Sequence, residues 1–435
     1  MADFDLIVRS ADRDIGIVDG KFAALGSSLP SSAHEEVDAT KMSVFPGVID
    51  SHVHFNEPGR TDWEGFDTGS RAAAAGGSTT VFDMPLNAHP PTIDGPSFDA
   101  KKAAAESKSF VDFSLWGGLI PANLNQLKTL RDCGAVGLKA FMCNSGIEDF
   151  PHVTMSILRE GMRIAADLDL IVALHAESEE MTQQSTKEKL AAGKATIIDF
   201  LESRPIEAEL DAIRRAVDLS HETRCRLHIV HVSCGAGVKL IAEARANGVD
   251  VTCETCPHYL VLTDKDMKRL GSVAKCAPPL RSEKDRQSLR ESLTDVTTIG
   301  SDHSPSPWFM KNRQIFFEVW GGISGCQHLL ALLIDSGLSL ERIADLTSRQ
   351  VAKRFRLDQK GEIAVGYDAD FTIVDPAGNE TVTTESLLYR HRHSPYVGRK
   401  LRGRIVRTVL RGQTVFLDGK IIGLPSGKFI RPNNS

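Results

Sequence analysis

No stretch of the 435-residue chain approaches the ~20 consecutive apolar residues that span a bilayer. The opening, MADFDLIVRSAD, places acids where a secretory leader carries basic and then apolar residues. Both absences lead us to expect a cytoplasmic protein with no membrane partner. Basic clusters are missing too: 51 Lys and Arg are scattered among 57 Asp and Glu, for a formal net charge of −6. Such a chain has no positive field to draw nucleic acid, which leaves a small molecule as the expected ligand. There is no Pro/Gly-rich or low-complexity tract long enough to stay disordered, so most of the chain should fold. Cysteine is sparse and irregularly spaced, with eight residues that fit reduced thiols better than a disulfide framework. Cys253 and Cys256 form a Cys-X-X-Cys pair without the second pair of a zinc ribbon, and core packing is expected for both.

The chain is too long for a single small module, and one large domain with a smaller appendage is the natural division. From about Phe45 to Leu346, short β-branched runs alternate with helical stretches such as Ile206–His221 and Gly235–Asn247, the pattern of repeated β-α units. Eight strands can be counted: Phe45–Phe55, Ser78–Pro85, Phe110–Leu119, Ala135–Met142, Leu170–Glu177, Arg226–Ser233, Asp250–Leu260 and Thr297–Pro305. Several of these (TTVFDM, IVAL, HIVHV) are apolar on both faces, as strands covered by helices are. The expected class is α/β, a (β/α)8 or TIM barrel, with an open doubly wound sheet as the alternative. Residues 1–46 and 349–435 read instead as short strands separated by Gly and Asp-Gly turns. They are expected to form one small β-sandwich from both termini, beside a metal-binding barrel spanning 47–348.

Chemistry-bearing residues gather where these strands end. In GVIDSHVHFNEPGR, His52 and His54 are two apart and share one face of a strand, so they can hold one ion, although an isolated pair is commonly satisfied by backbone or water. His175, His231 and Asp302 fall near the ends of three further strands, at the C-terminal rim where barrel sites are assembled. His228 and His303 sit at odd offsets, so they are expected to face the other way and to be structural. Lys139 lies in the middle of the apolar run AVGLKAFM, where an ammonium meets a heavy desolvation cost. It could pair with a rim carboxylate or, with a lowered pKa, act as a base or Schiff-base nucleophile.

In order along nearly the whole chain, HVHFNEPGR, GLKAFM, LHAES, IVHVS, CETCPHYL and GSDHSP resemble the amidohydrolase superfamily, and within it the cyclic amidases: dihydroorotases, hydantoinases and allantoinases. The resemblance implies that His52, His54 and Asp302 bind one divalent ion and that His175 and His231 bind a second. Lys139 would be carboxylated by carbon dioxide to N6-carboxylysine and span both. Imidazole and carboxylate ligands suit zinc first, with cobalt, iron or manganese as alternatives. Two such ions would lower the pKa of a shared water from ~16 toward ~7, and Asp302 is the expected general base, with a pure ligand role as its alternative.

Dihydroorotases usually carry Arg two positions after the second His, to clamp a carboxylate; here that position is Asn56. HVHFNEPGRTDWEGFDTGSRAAAAGGSTTVFDMPLN, LKAFMCNSGIEDFP, ETCPHYL and EVWGGISG resemble allantoinases more closely than hydantoinases, whose first motif usually has Asp after its second His. The implied reaction is hydrolysis of the hydantoin-ring amide of allantoin to allantoate, in purine and ureide degradation, by a homotetramer or homodimer. The alternatives are a hydantoinase or dihydropyrimidinase, a dihydroorotase, a Schiff-base enzyme and a non-enzymatic scaffold. Candidate substrate contacts are Asn56, Asn87, Cys143, Asn144 and the backbone of Gly321, although Asn87 could simply cap a turn and Cys143 simply pack. Arg60 and Trp63 could shape the entrance or hold their loop, and RSADRDIGIVDG looks shorter than the usual opening hairpin of the family.

Overall fold

The computed structural model describes residues 3–29 and 32–433. Each of the eight apolar runs contains a parallel strand: β6 Val48–Val53, β7 Ser78–Asp83, β8 Asp112–Leu115, β9 Gly117–Gly118, β10 Leu138–Phe141, β11 Ile171–His175, β12 Arg226–Ile229, β13 Val251–Thr255 and β14 Thr298–Ile299. The third run is split at Trp116, so that β8 pairs with β7 while β9 pairs with β10. At Gly118 a Cβ would lie 2.6 Å from the Phe150 ring, so the chain passes there only without a side chain. The ring closes where Val53 bridges His303 in parallel and the His54 N–H donates to the His303 carbonyl at 2.7 Å. The molecule is therefore a closed (β/α)8 barrel, not an open doubly wound sheet.

Helices cover the barrel because their apolar residues recur at helical spacing. In Met155–Asp167 the buried residues are Leu158, Gly161, Met162 and Ala165, and the Thr154 hydroxyl caps the N-terminus by accepting from the Ile157 N–H. In Ile206–Thr223 the buried apolar residues are Ala208, Ala212, Ile213, Ala216 and Leu219, and the helix stops at Arg224, whose φ is 57°. The barrel floor is plugged by Phe355 from the chain after the last barrel helix, its ring edge-on to Phe82 and Trp116 at centroid distances of 5.3 and 5.4 Å. Among the described residues no helix is long and apolar enough to cross a membrane.

His228 corrects one expectation. It does not turn to the opposite side of its strand: its Nδ1 lies 2.8 Å from Thr252 Oγ1, on the same face as Glu254, and its ring meets Phe355 in the floor. Strict alternation fails because His231 has a left-handed φ of 43°, which brings its ring back to the inner side. His228 is structural nonetheless, one layer below the rim. His303 also stays out of the cluster, accepting from the Gly325 N–H at Nδ1 and packing its ring near Phe55.

Both termini build the small β-sandwich. One sheet has the order β3-β2-β1-β4, with β1 Phe4–Ser10, β2 Asp14–Val18, β3 Lys21–Gly26 and β4 Ala33–Ala39; the short opening still closes the β1–β2 pairing, Arg9 opposite Asp14. The other runs β18-β17-β16-β15-β5, with β5 Ser43–Pro46, β15 Phe371–Thr381, β16 Lys400–Leu410, β17 Gln413–Leu417 and β18 Lys420–Ile421. The antiparallel pairing of β5 with β15 joins the two ends, and Leu6, Val8, Ile17 and Phe22 share a core with Phe371, Ile373 and Val409. Beyond this sandwich the chain returns to the barrel, where Phe429 bridges Phe113 in parallel, and in the connection between β15 and β16 the Tyr389 ring packs on His303.

The seam between the two units holds a buried charge network. Lys360 Nζ lies 2.6 Å from carboxylate oxygens of both Asp112 and Asp370 and 2.9 Å from Asp368, and Arg411 also pairs with Asp112. Removing the cation leaves the buried Asp370 without its ion-pair partner, while Arg411 and Lys21 still face Asp112 and Asp368. Lys360→Met should therefore lower unfolding stability by about 3–5 kcal/mol in urea titrations, with the metal content of the folded fraction unchanged.

Candidate metal centre

The rim of the barrel carries two clusters of nitrogen and oxygen donors. His52 ends the inward-facing run of β6, His54 follows one residue past it, and Asp302 sits on the left-handed turn after β14, with φ 47°. His52 Nε2 lies 3.2 Å from Asp302 Oδ1, and His54 Nε2 lies 3.5 Å from it. His175 at the end of β11 and His231 just beyond β12 form the second cluster, with His175 Nδ1 3.1 Å from His231 Nε2. The two clusters adjoin, since the His52 and His231 ring centroids are 5.5 Å apart.

Lys139 enters from β10. It is fully buried, its Nζ has no hydrogen-bond partner, and it lies 5.0 Å from the centroid of Phe141, which itself stacks on His175. Burial lowers its pKa to about 8, against the opposing pull of Asp302 and Glu254. Burial also lowers His54 to about 4 and holds His175 and His231 below the ordinary imidazole range, so these rings are neutral near pH 7 and have lone pairs to give. For Asp302 burial works the other way, but His52, His54 and His231 outweigh it and keep the carboxylate ionised. Four imidazoles, a carboxylate and an orphaned buried amine are a donor set that fits divalent ions.

A second layer of residues aims the imidazoles. His52 Nδ1 is 2.7 Å from Glu254 Oε1, whose other oxygen accepts from Ser51 Oγ at 2.6 Å, so Nε2 is left facing Asp302. His175 Nε2 is 2.7 Å from Glu177 Oε2, which also pairs with Arg204, so Nδ1 faces His231. His54 Nδ1 is 3.2 Å from the Asn87 amide, whose Oδ1 has no partner. A half-turn of that amide lets Oδ1 accept from Nδ1–H and frees His54 Nε2 as a ligand.

Above the clusters opens a cavity of about 530 Å³ whose wall includes His52, His54, His175, His231 and Asp302. Of the expected substrate contacts, Asn87, Asn144 and Gly321 line it. Asn56 and Cys143 do not. Asn56 is fully buried behind the rim with φ 62°, its amide 3.4 Å from the Pro305 carbonyl, and Cys143 is fully buried with its Sγ beside Arg204. Asn87 has the left-handed φ of 68° expected of a turn residue and in addition touches His54. Arg60 braces its loop by donating to the carbonyls of Asn87 and Ala88, and Trp63 packs edge-on to Trp320. All eight cysteines are free, and Cys253 and Cys256 are buried in the core.

Sequence reasoning missed Glu254, Glu177 and Arg204. The signal that marks Lys139, a charge inside an apolar strand, also marks Glu254 in VTCETC; for Arg204, contributed by a separate helix end, the sequence holds no such signal. Because Glu254 fixes which nitrogen of His52 faces the rim, Glu254→Gln should weaken metal affinity about 10–100-fold, read by competitive chelator titration of the purified protein.

The family model for the amidohydrolase family matches residues 43–415. An allantoinase of Rubrobacter xylanophilus is 51% identical, covering 99% of this chain and 98% of the relative, and one of Escherichia coli is 38% identical, covering 98% of each. Among solved structures, the L-hydantoinase (dihydropyrimidinase) of Arthrobacter aurescens superimposes with a TM-score of 0.95 at 35% identity, covering 98% of this chain and all of that one. With the rim residues in place and a match that runs through barrel and sandwich alike, the chain belongs to the amidohydrolase family.

Proposed function

We propose that the protein is a metal-dependent allantoinase that opens the hydantoin ring of allantoin by hydrolysing its amide to give allantoate. The observation that carries the chemistry is the convergence of His52, His54, His175, His231 and Asp302 on the unpartnered amine of Lys139. The choice of ring is supported by relatives of 48–51% identity that bear the name allantoinase.

In this reading His52, His54 and Asp302 would hold one divalent ion and His175 and His231 the other, with Lys139, carboxylated to N6-carboxylysine, as a ligand shared by both; zinc is the first choice, with cobalt, iron or manganese as alternatives. When bound, such ions acidify a water and polarise a carbonyl oxygen. The protein does the rest. A lysine lowered to about 8 has a larger neutral fraction near pH 7 than an ordinary one, which is the form that takes up carbon dioxide. Asp302, in the cavity wall, accepts the proton of the attacking water and returns it to the ring nitrogen as the C–N bond breaks, so water and ring amide become a carboxylic acid and a terminal ureido group. Asn87 and Asn144 offer side-chain amides from the cavity wall and Gly321 offers its backbone; amides are apt partners for an uncharged, amide-rich ring.

A homotetramer or homodimer belongs to the same reading on the strength of the resemblance, and a cytoplasmic location is supported by eight free thiols. The second reading, a hydantoinase or dihydropyrimidinase, is favoured by the TM-score of 0.95 to an L-hydantoinase. Rates on allantoin, hydantoin and dihydroorotate with one metal-loaded preparation decide between them: allantoin should be fastest, and faster turnover of hydantoin overturns the assignment. Reconstitution of metal-free protein should yield more activity with bicarbonate than without. Asp302→Asn should lower kcat by about 10²–10⁴ in the fraction that retains metal; retained metal with an unchanged rate would make Asp302 a ligand only.

A further inference from the structure

Two lysines away from the metal cluster, Lys275 in the cavity wall and Lys311 behind it, are buried without a carboxylate partner among the described residues. Lys275 and Lys311 are 4% and 2% exposed, and neither forms an ion pair among the described residues. Main-chain carbonyls surround them instead. Lys275 Nζ donates to the carbonyls of Phe316, Phe317 and Val319 at 2.7, 3.1 and 2.6 Å. Lys311 Nζ donates to those of Ser272, Trp320 and Gly322 at 3.3, 3.0 and 2.5 Å. Burial presses both amines toward the neutral form, but a neutral amine has two N–H groups and each cage has three acceptors, so the cages select the ammonium.

Five of the six captured carbonyls belong to one strap, residues 316–322, which roofs one side of the cavity. The strap's amides are tied down as well: the Trp320 N–H donates to the Met310 carbonyl and the Gly322 N–H to the Lys275 carbonyl. At Gly322 a Cβ would lie 2.2 Å from the Ser304 carbonyl oxygen, so the strap lies hard against the segment that follows Asp302. Gly321 differs from its neighbours. It lines the cavity, nothing stands within 4 Å of where its Cβ would be, and neither its N–H nor its carbonyl has a partner among the described residues. One donor and one acceptor on adjacent main-chain atoms match the N–H and C=O edge of an amide or ureide.

We propose that Lys275 and Lys311 are positioning residues for substrate: their ammonium groups draw back the other carbonyls of the strap and so hold the unpaired edge of Gly321 at the cavity wall, where it meets the amide edge of the ring. The inference rests on the cyclic-amide reading of the site and adds to it the residues that set the affinity for that ring.

Lys275→Ala and Lys311→Ala should raise KM for allantoin about tenfold, leave kcat within about threefold, and leave bound metal unchanged. Propylammonium, which replaces the missing stem and charge, should restore KM, whereas tetramethylammonium, with no N–H to donate, should not. Folded, metal-loaded variants with unchanged KM overturn the proposal; so does a joint loss of kcat and metal, or a raised KM that propylammonium leaves raised. Should the variants fail to fold, hydrogen exchange on the unaltered protein decides: the Glu318, Trp320 and Gly322 amides should exchange at least about a hundredfold slower than an open loop, and open-loop rates refute a held strap. If the unaltered protein does not turn over allantoin at all, the proposed function falls, while the exchange result still tests the strap.

Discussion

A primary amine buried without a partner is the constraint around which the rim is built. An isolated ammonium at the position of Lys139 costs several kcal/mol of desolvation, and no carboxylate bonds to it; the nearest opposing charges, Asp302 and Glu254, are already engaged with imidazoles. The surrounding rings cannot help while neutral, and protonating them adds like charge. Burial eases that cost by pressing the amine toward its neutral form, and in the proposed reading carboxylation removes it by reversing the sign of the group. One side chain thereby makes the arrangement of His52, His54, His175 and His231 intelligible, and the hydrogen bonds from Glu254 and Glu177 that fix their tautomers follow from it.

The fold supports this by rigidity. Each donor stands at the end of a parallel strand whose registers are fixed by neighbours on both sides, and the helices that wrap the barrel are locked by residues such as Gly161, where a Cβ would fall 2.5 Å from Leu119. Phe355 packs into the floor, and the cavity opens at the opposite end. Chemistry at the top and packing at the bottom are thus separated along the barrel axis, as the strand polarity of this architecture requires.

Much of this could be read from the chain. Each of the eight apolar runs contains a strand, the third split in two, and residues near their ends meet at one rim, because strand spacing and polarity carry that information directly. The reading failed where geometry departs from strict alternation: the left-handed turn at His231 placed His228 on the inner face, and the left-handed turn at Asn56 tucked that side chain behind the rim. Residues that act from a distance in sequence were not legible either. Arg204 reaches Glu177 from a separate helix end, and nothing in the sequence sets Lys275 and Lys311 apart from other lysines until their carbonyl partners are seen.

The pairing of β5 with β15 sets the barrel between two strands from opposite ends of the chain. During synthesis the N-terminal strand leaves the ribosome early but finds its partner only after every barrel unit has been made. Its edge is an unsatisfied template throughout that interval, open to other nascent chains and to holding factors. A polypeptide that ends before β15, however well its barrel forms, therefore leaves β5 without the strand that completes its pairing.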